Sequence, residues 1–119
     1  MKRDWELVRV ILCRLEDMDT TNGSLDANDV EDYSPEFVSY HMNLLDEAGL
    51  IEANCAKPLS GPMQCFAFSL TWEGHEFLDK IRTETVWNKT KDLIQSKGID
   101  LSFDAIKYAA STVLKGMLG

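Results

Sequence analysis

The stretch YSPEFVSYHMNLLDEAGLIEA, residues 33–53, decides how this chain folds. Ser34-Pro35 reads as a helix start. The serine side chain caps free amides, and proline suits the first helical position, where its missing N–H costs nothing. Phe37, Tyr40, His41, Leu44, Leu45 and Ala48 recur at helical spacing and form the stripe expected to face inward. Gly49 ends the helix, because glycine takes the left-handed position after a helix without strain, and Leu50 folds back as the apolar contact. The pattern is that of a DNA-reading helix, yet it holds no lysine or arginine.

Strands and further helices surround this segment. LIEANCA (50–56) and MQCFAFSL (63–70) are two short strand candidates, and KPLSGP (57–62) between them has the chemistry of a hairpin tip, or wing. Phe66, Phe68 and Leu70 alternate with Cys65, Ala67 and Ser69, as a half-buried strand requires. Upstream, Trp5, Val8, Ile11, Leu12, Leu15 and Met18 make one stripe of a helix from about Asp4, a good N-cap, to Met18. DTTNGSLDAND (19–29) is turn-rich, with a single helical turn expected around residues 27–32. Downstream, Thr71 caps WEGHEFLDKIR. Val86, Thr90, Leu93 and Ile94 share a face of the next helix, which Gly98 stops. Ser102 caps a last helix with Phe103, Ile106, Ala110, Val113 and Met117 in line. Trp5, Trp72 and Trp87 are expected to anchor the core. The fold class is therefore mainly α with a small β-hairpin. A winged helix-turn-helix-like domain spans 1–82, and a two-helix C-terminal extension spans 83–119. Ala109, Ala110 and Ser111 would permit close approach, so residues 102–117 are a possible homodimer element.

Two resemblances attach to these residues. Ser34, Val38, Ser39, His41, Leu45, Glu47, Ala48, Gly49, Leu50 and Ile51 resemble the second helix of arsenic-repressor-type winged-helix regulators. That likeness implies that Ser34, Pro35, Glu36, Ser39, Tyr40 and Asn43 would face a major groove. The blocks MKRDWELVRVIL, VSYHMNLLDEAGLIEA, LTWEGHEFLDKIR and TVWNKTK, in that order, resemble a small bacterial and phage family of unknown function. It implies a winged-helix fold and a mobile-element setting.

Charge opposes DNA. The net charge is −8. Residues 15–56 hold eleven carboxylates and no Lys or Arg. Affinity for a duplex comes largely from cations that displace condensed counterions, and a carboxylate beside a phosphate costs on the order of 1 kcal/mol even in water. The expectation is a non-enzymatic protein-binding regulator or inhibitor of phage or prophage type. It would use Glu31, Asp32, Glu36, Asp46, Glu47 and Glu52 against a protein partner with a basic surface. An anti-defence role, as a nucleic-acid mimic that blocks a host nucleic-acid-binding complex, fits that charge. The alternative is a DNA-binding transcriptional regulator reading through Ser34, Ser39, Tyr40 and Asn43, with Lys57 on the wing. Lys80, Arg82, Lys89, Lys91 and Lys97, with Lys2, Arg3, Arg9 and Arg14, are either a basic face elsewhere or ordinary solvated surface.

No chemistry-bearing motif appears. His75-Glu76 begins a metalloprotease pattern, but Asp79 stands where the second histidine belongs. His41 reads as a buried, hydrogen-bonded helix residue. There is no glycine-rich phosphate loop and no nucleophile elbow, so no catalytic residue, cofactor or metal is expected. Cys13, Cys55 and Cys65 are too few for a disulfide framework and are expected to stay thiols. Cys55 and Cys65 flank the turn symmetrically, as small strand residues or as a regulatory pair. No apolar run approaches a membrane span, and the N-terminus lacks an apolar signal core. The chain reads as cytoplasmic.

Overall fold

The structure, a computed structural model, describes residues 1–118. It is mainly helical with a small three-stranded antiparallel sheet, in winged-helix order. Helix α1 is Trp5–Glu16, strand β1 Leu25–Asp26, then a 3-10 turn Ala27–Asp29, helix α2 Pro35–Glu47, strands β2 Ile51–Ala56 and β3 Gln64–Leu70, and helices α3 Trp72–Ile81, α4 Glu84–Ser96 and α5 Phe103–Leu118. The chain divides into two compact units, Met1–His75 and the residues from Glu76 onward, the division falling inside α3.

The first unit is built from well-capped pieces. The Asp4 carboxylate accepts from the amides of Glu6 and Leu7, and Ser34 Oγ accepts from Phe37. The end of α2 closes as expected: Leu50 N–H donates to Leu45 and Gly49 N–H to Asp46, with Gly49 at φ +79°. Leu7, Ile11 and Leu12 of α1 are fully buried, as are Val38 and Met42 of α2.

In α2 the inward face is rotated from the expected stripe. Val38, Ser39, His41, Met42 and Leu45 are buried, whereas Phe37, Tyr40 and Leu44 are half-buried and Ala48 is exposed. The sheet lies alongside α2 and selects that face.

Three strands form, not two. The order is β1-β3-β2, with Leu25 opposite Ala67 and Asp26 opposite Phe66. On β3 the buried side is the small one: Cys65 and Ala67 are inside, while Phe66 and Phe68 are each 43% exposed. A register shift between Glu52 and Ala53 leaves Phe68 as the extra residue of a bulge. Ser69 therefore stays outside and Leu70 turns inward, so Phe66, Phe68 and Leu70 do not share a face.

The same register puts Cys55 opposite Cys65, and the two form a disulfide with Cα atoms 4.1 Å apart. This corrects the expectation of free thiols. Directly opposed residues that do not exchange ladder hydrogen bonds approach most closely, and the Cys65 N–H donates to Ser39 Oγ rather than across the ladder. Cys13 remains a thiol. Closing so short a loop is worth about 2–3 kcal/mol by chain entropy. Dithiothreitol should lower the denaturation midpoint by that equivalent, with the helical circular-dichroism signal of the folded state retained.

In the second unit, α4 packs along α5. Trp87, Thr90 and Ile94 face Ile106, Ala109 and Ala110 in a buried seam. Thr83 caps α4, Ser102 caps α5, and Gly98 at φ +68° ends α4. The Phe77 and Phe103 rings meet in a tilted pair with centroids 4.7 Å apart. The tryptophans divide: Trp87 is buried, Trp5 is half-buried under the Arg3 guanidinium, and Trp72 is 76% exposed and anchors no core.

Candidate functional site: the outward face of helix α2

Helical spacing sorts the outward side chains of α2. Glu36, Tyr40, Asn43 and Glu47 follow one another at intervals of four, three and four residues, on the side opposite the buried Val38, Met42 and Leu45. Glu36 and Glu47 therefore bracket a polar stripe about 16 Å long. Asn43 Nδ2 donates to Glu47 Oε1 at 3.3 Å, tying the middle of the stripe to its far carboxylate.

Asp46, one step round the helix, accepts from the Ala53 N–H at 3.2 Å and so joins α2 to the first residues of β2. Glu52 is exposed on β2. Glu31 and Asp32 are exposed in the turn before the helix, where Asp32 takes a left-handed φ of +72°. All six carboxylates named from the sequence are thus exposed. The local field shows at Tyr33, whose phenol is held above its usual pKa by burial first, then by the carboxylates of Asp4, Glu6 and Asp32.

The residues of the DNA-reading alternative are not brought together. Ser39 is 1% exposed, with its Oγ taken by the Cys65 N–H, so it cannot reach a base edge. Ser34 spends its Oγ on the helix cap. Tyr40 and Asn43 remain on the outward stripe, between two carboxylates. Lys57 is exposed at the wing, beside Leu59, which is fully exposed.

Cations elsewhere are engaged locally. Arg14 donates to the Asp29 carbonyl, Arg82 pairs with Asp79, Lys80 donates to Ser111 Oγ, and Lys91 sits over the Trp87 ring. Of these four, Arg14 belongs to the first unit and the other three to the second.

His41 is fully buried. Its Nε2 accepts from the Asp4 N–H at 2.8 Å, which leaves Nδ1 protonated and 2.9 Å from the Phe37 carbonyl. Burial lowers its pKa, partly opposed by the Phe37 carbonyl and the Asp4 carboxylate. It joins the start of α1 to α2 and presents nothing to solvent. Among the described residues, no group of three or more His, Cys, Asp or Glu could hold a metal ion. Nor is any helix long and apolar enough to cross a membrane.

On α5, Ala109 and Ala110 are consumed by the packing against α4. The surface left on that helix includes Tyr108, 79% exposed, together with Thr112 and Met117.

Sequence comparison bears on this surface only through the family. The model of a family described as hypothetical protein, DUF2513, matches residues 2–100. An uncharacterized protein of Haemophilus influenzae (strain ATCC 51907 / DSM 11121 / KW20 / Rd) is 50% identical over 118 residues, covering 99% of each chain. The chain belongs to the DUF2513 family.

Proposed function

We propose that this protein is a non-catalytic regulator or inhibitor that binds a protein partner through the acidic outward face of its winged helix. The observation that carries this is the α2 stripe. On the helix that in DNA-binding relatives of this architecture enters the groove, Glu36 and Glu47 flank Tyr40 and Asn43, and no cation lies on that helix. Asp46 and Glu52 extend the negative charge towards the wing. Duplex binding draws most of its affinity from cations that meet phosphates, and this face has carboxylates in their place. A basic protein surface meets the opposite condition, because complementary charge speeds encounter and selects the partner.

Within this proposal, occupying the basic groove of a nucleic-acid-binding complex is the form that the charge favours. The mobile-element and anti-defence setting belongs to the same proposal. The second reading, a DNA-binding regulator, keeps the element order and the half-buried Tyr40 and Asn43 of the outward stripe in its favour.

The test is charge reversal. Wild-type protein should show no measurable duplex binding by fluorescence anisotropy at physiological salt. The pair Glu36→Lys with Glu47→Lys should abolish capture of a basic partner in affinity purification from the native host. It should also raise duplex affinity at least roughly tenfold, since each new phosphate contact releases a counterion. Tight wild-type duplex binding that weakens steeply with salt, with residues 34–43 protected in a footprint, would establish the second reading instead. Self-association through residues 102–117 is a separate proposal. Sedimentation velocity distinguishes it from a 13.5 kDa monomer.

A further inference from the structure

The outer side of the sheet carries two rings that the core does not use. Phe66 and Phe68 stand on β3, the central strand, and both point away from the buried Cys65 and Ala67. Each ring lines a separate cleft. The cleft at Phe66, about 260 Å³, lies at the margin of the sheet: Pro35, Pro62 and Met63 are apolar parts of its wall, Asp26 and Glu36 its carboxylates, and it reaches the buried Ser39 and Cys65. The cleft at Phe68 has about 410 Å³, with Leu15, Met18 and Leu70 as its apolar parts and Glu16 and Asp19 as its carboxylates. No lysine or arginine lines either one, and His75 stands in the wall of the cleft at Phe68. Strand register places Asp26 directly across from Phe66 on one side and Asn54 on the other.

Two residues apart on a strand means roughly 7 Å between the Cα atoms that carry the rings, the same repeat as alternate side chains of any extended chain. The negative face of an aromatic ring attracts a cation, Arg more often than Lys, and the apolar surface around it takes the aliphatic stem. Carboxylates beside each ring add to the same preference. We infer that this face docks an extended basic segment of a partner protein, with cationic side chains two residues apart, one over Phe66 and one over Phe68. The inference rests on the proposal that the partner is basic, and adds where its chain is gripped.

Two other occupants fit less well. Single-stranded nucleic acid uses paired aromatic rings, but within a positively charged groove, and these clefts are acidic. A second copy of this chain would bring another −8 of like charge.

The test uses a fluorescein-labelled octapeptide of alternating Arg and Thr, a block peptide of the same composition, and a short oligothymidylate. Anisotropy should show the alternating peptide binding more tightly than the block peptide, and the oligothymidylate not at all. Phe66→Ala with Phe68→Ala should weaken the alternating peptide about five- to thirtyfold, the loss of two exposed cation–ring contacts. Phe66→Leu with Phe68→Leu keeps the apolar bulk, and should weaken binding without lowering the melting temperature. If basic peptides bind the double variants as tightly as wild type, or if the two peptides bind alike, the docking site is wrong while the acidic-face proposal stands. If no basic peptide binds wild type, this inference falls, and the charge-reversal pair on α2 decides separately whether the proposal it rests on stands. If oligothymidylate binds and the double variants lose it, the face is a nucleic-acid platform and the inference is overturned.

Discussion

Replacing Gly74 with alanine should destabilise the first unit by about 3 kcal/mol or more, against what helix propensity says. Gly74 lies inside α3, where exchanging glycine for alanine ordinarily stabilises by about 1 kcal/mol. Here an added Cβ would sit 2.0 Å from the Leu50 carbonyl oxygen and 3.0 Å from its carbon. Both are backbone atoms of the turn that ends α2, so no side chain can swing aside. That carbonyl also accepts the Thr71 N–H at 3.1 Å, while Thr71 Oγ1 donates to the Gly49 carbonyl and accepts the Gly74 N–H. Moving Leu50 would loosen the bond that seats the start of α3 on the α2–β2 turn. Overpacking with freedom to relax costs typically 1–3 kcal/mol, and this site has little such freedom. Gly116 is the control: it is helical with nothing within 4 Å of an added Cβ, so Gly116→Ala should stabilise by about 0.5–1 kcal/mol. Urea denaturation of the two variants reads the opposite signs. A stabilised Gly74→Ala would show that the close approach of α3 to Leu50 is not there.

What the sequence discloses depends on how far apart the interacting residues lie. The caps at Asp4, Ser34, Thr71 and Ser102 and the glycine stops at Gly49 and Gly98 are settled within four or five residues, and all of them form. The exposure of Glu36, Glu47 and Glu52 is equally local, since an unpaired carboxylate is too costly to bury. Strand β1 escapes a linear reading because it is two residues long and its partner, β3, lies some 40 residues on. Ser39 looks like a base-reading residue until the Cys65 amide, 26 residues away, claims its hydroxyl. The outward Phe66 and Phe68 escape as well. Alternation fixes only that two faces exist, and α2, by taking the small side of β3, decides which is buried. The bulge that returns Leu70 to the core has no local signature. Of the proposed acidic site, the residue types were therefore legible and the shared outward stripe only partly so. Tyr40, placed inward by the periodicity and outward by the resemblance, stands between the carboxylates because the buried side of α2 is turned towards the sheet.

His41 should make the first unit sensitive to mild acid. The folded protein holds the imidazole neutral. Its Nε2 lone pair accepts the Asp4 N–H, and a proton there would break that bond and place a charge at a site with no exposed surface. Burial thus lowers the folded pKa below the ordinary value of an imidazole, with the Phe37 carbonyl and the Asp4 carboxylate pulling the other way. The unfolded chain therefore takes up the proton first. His41's share of stability is complete above the unfolded pKa. It is lost as pH falls below that value, down through the folded one. The slope cannot exceed about 1.4 kcal/mol per pH unit, the limit for one proton. His41→Gln keeps an acceptor for the Asp4 amide and has nothing to titrate, so its stability should stay flat over the same interval. His41→Phe fills the space but orphans the Asp4 N–H, and should cost about 1–3 kcal/mol at neutral pH. Urea midpoints of wild type and both variants, measured from neutral pH down to the range where carboxylates begin to titrate, separate these effects. An acid slope that persists unchanged in His41→Gln would release His41 from this role.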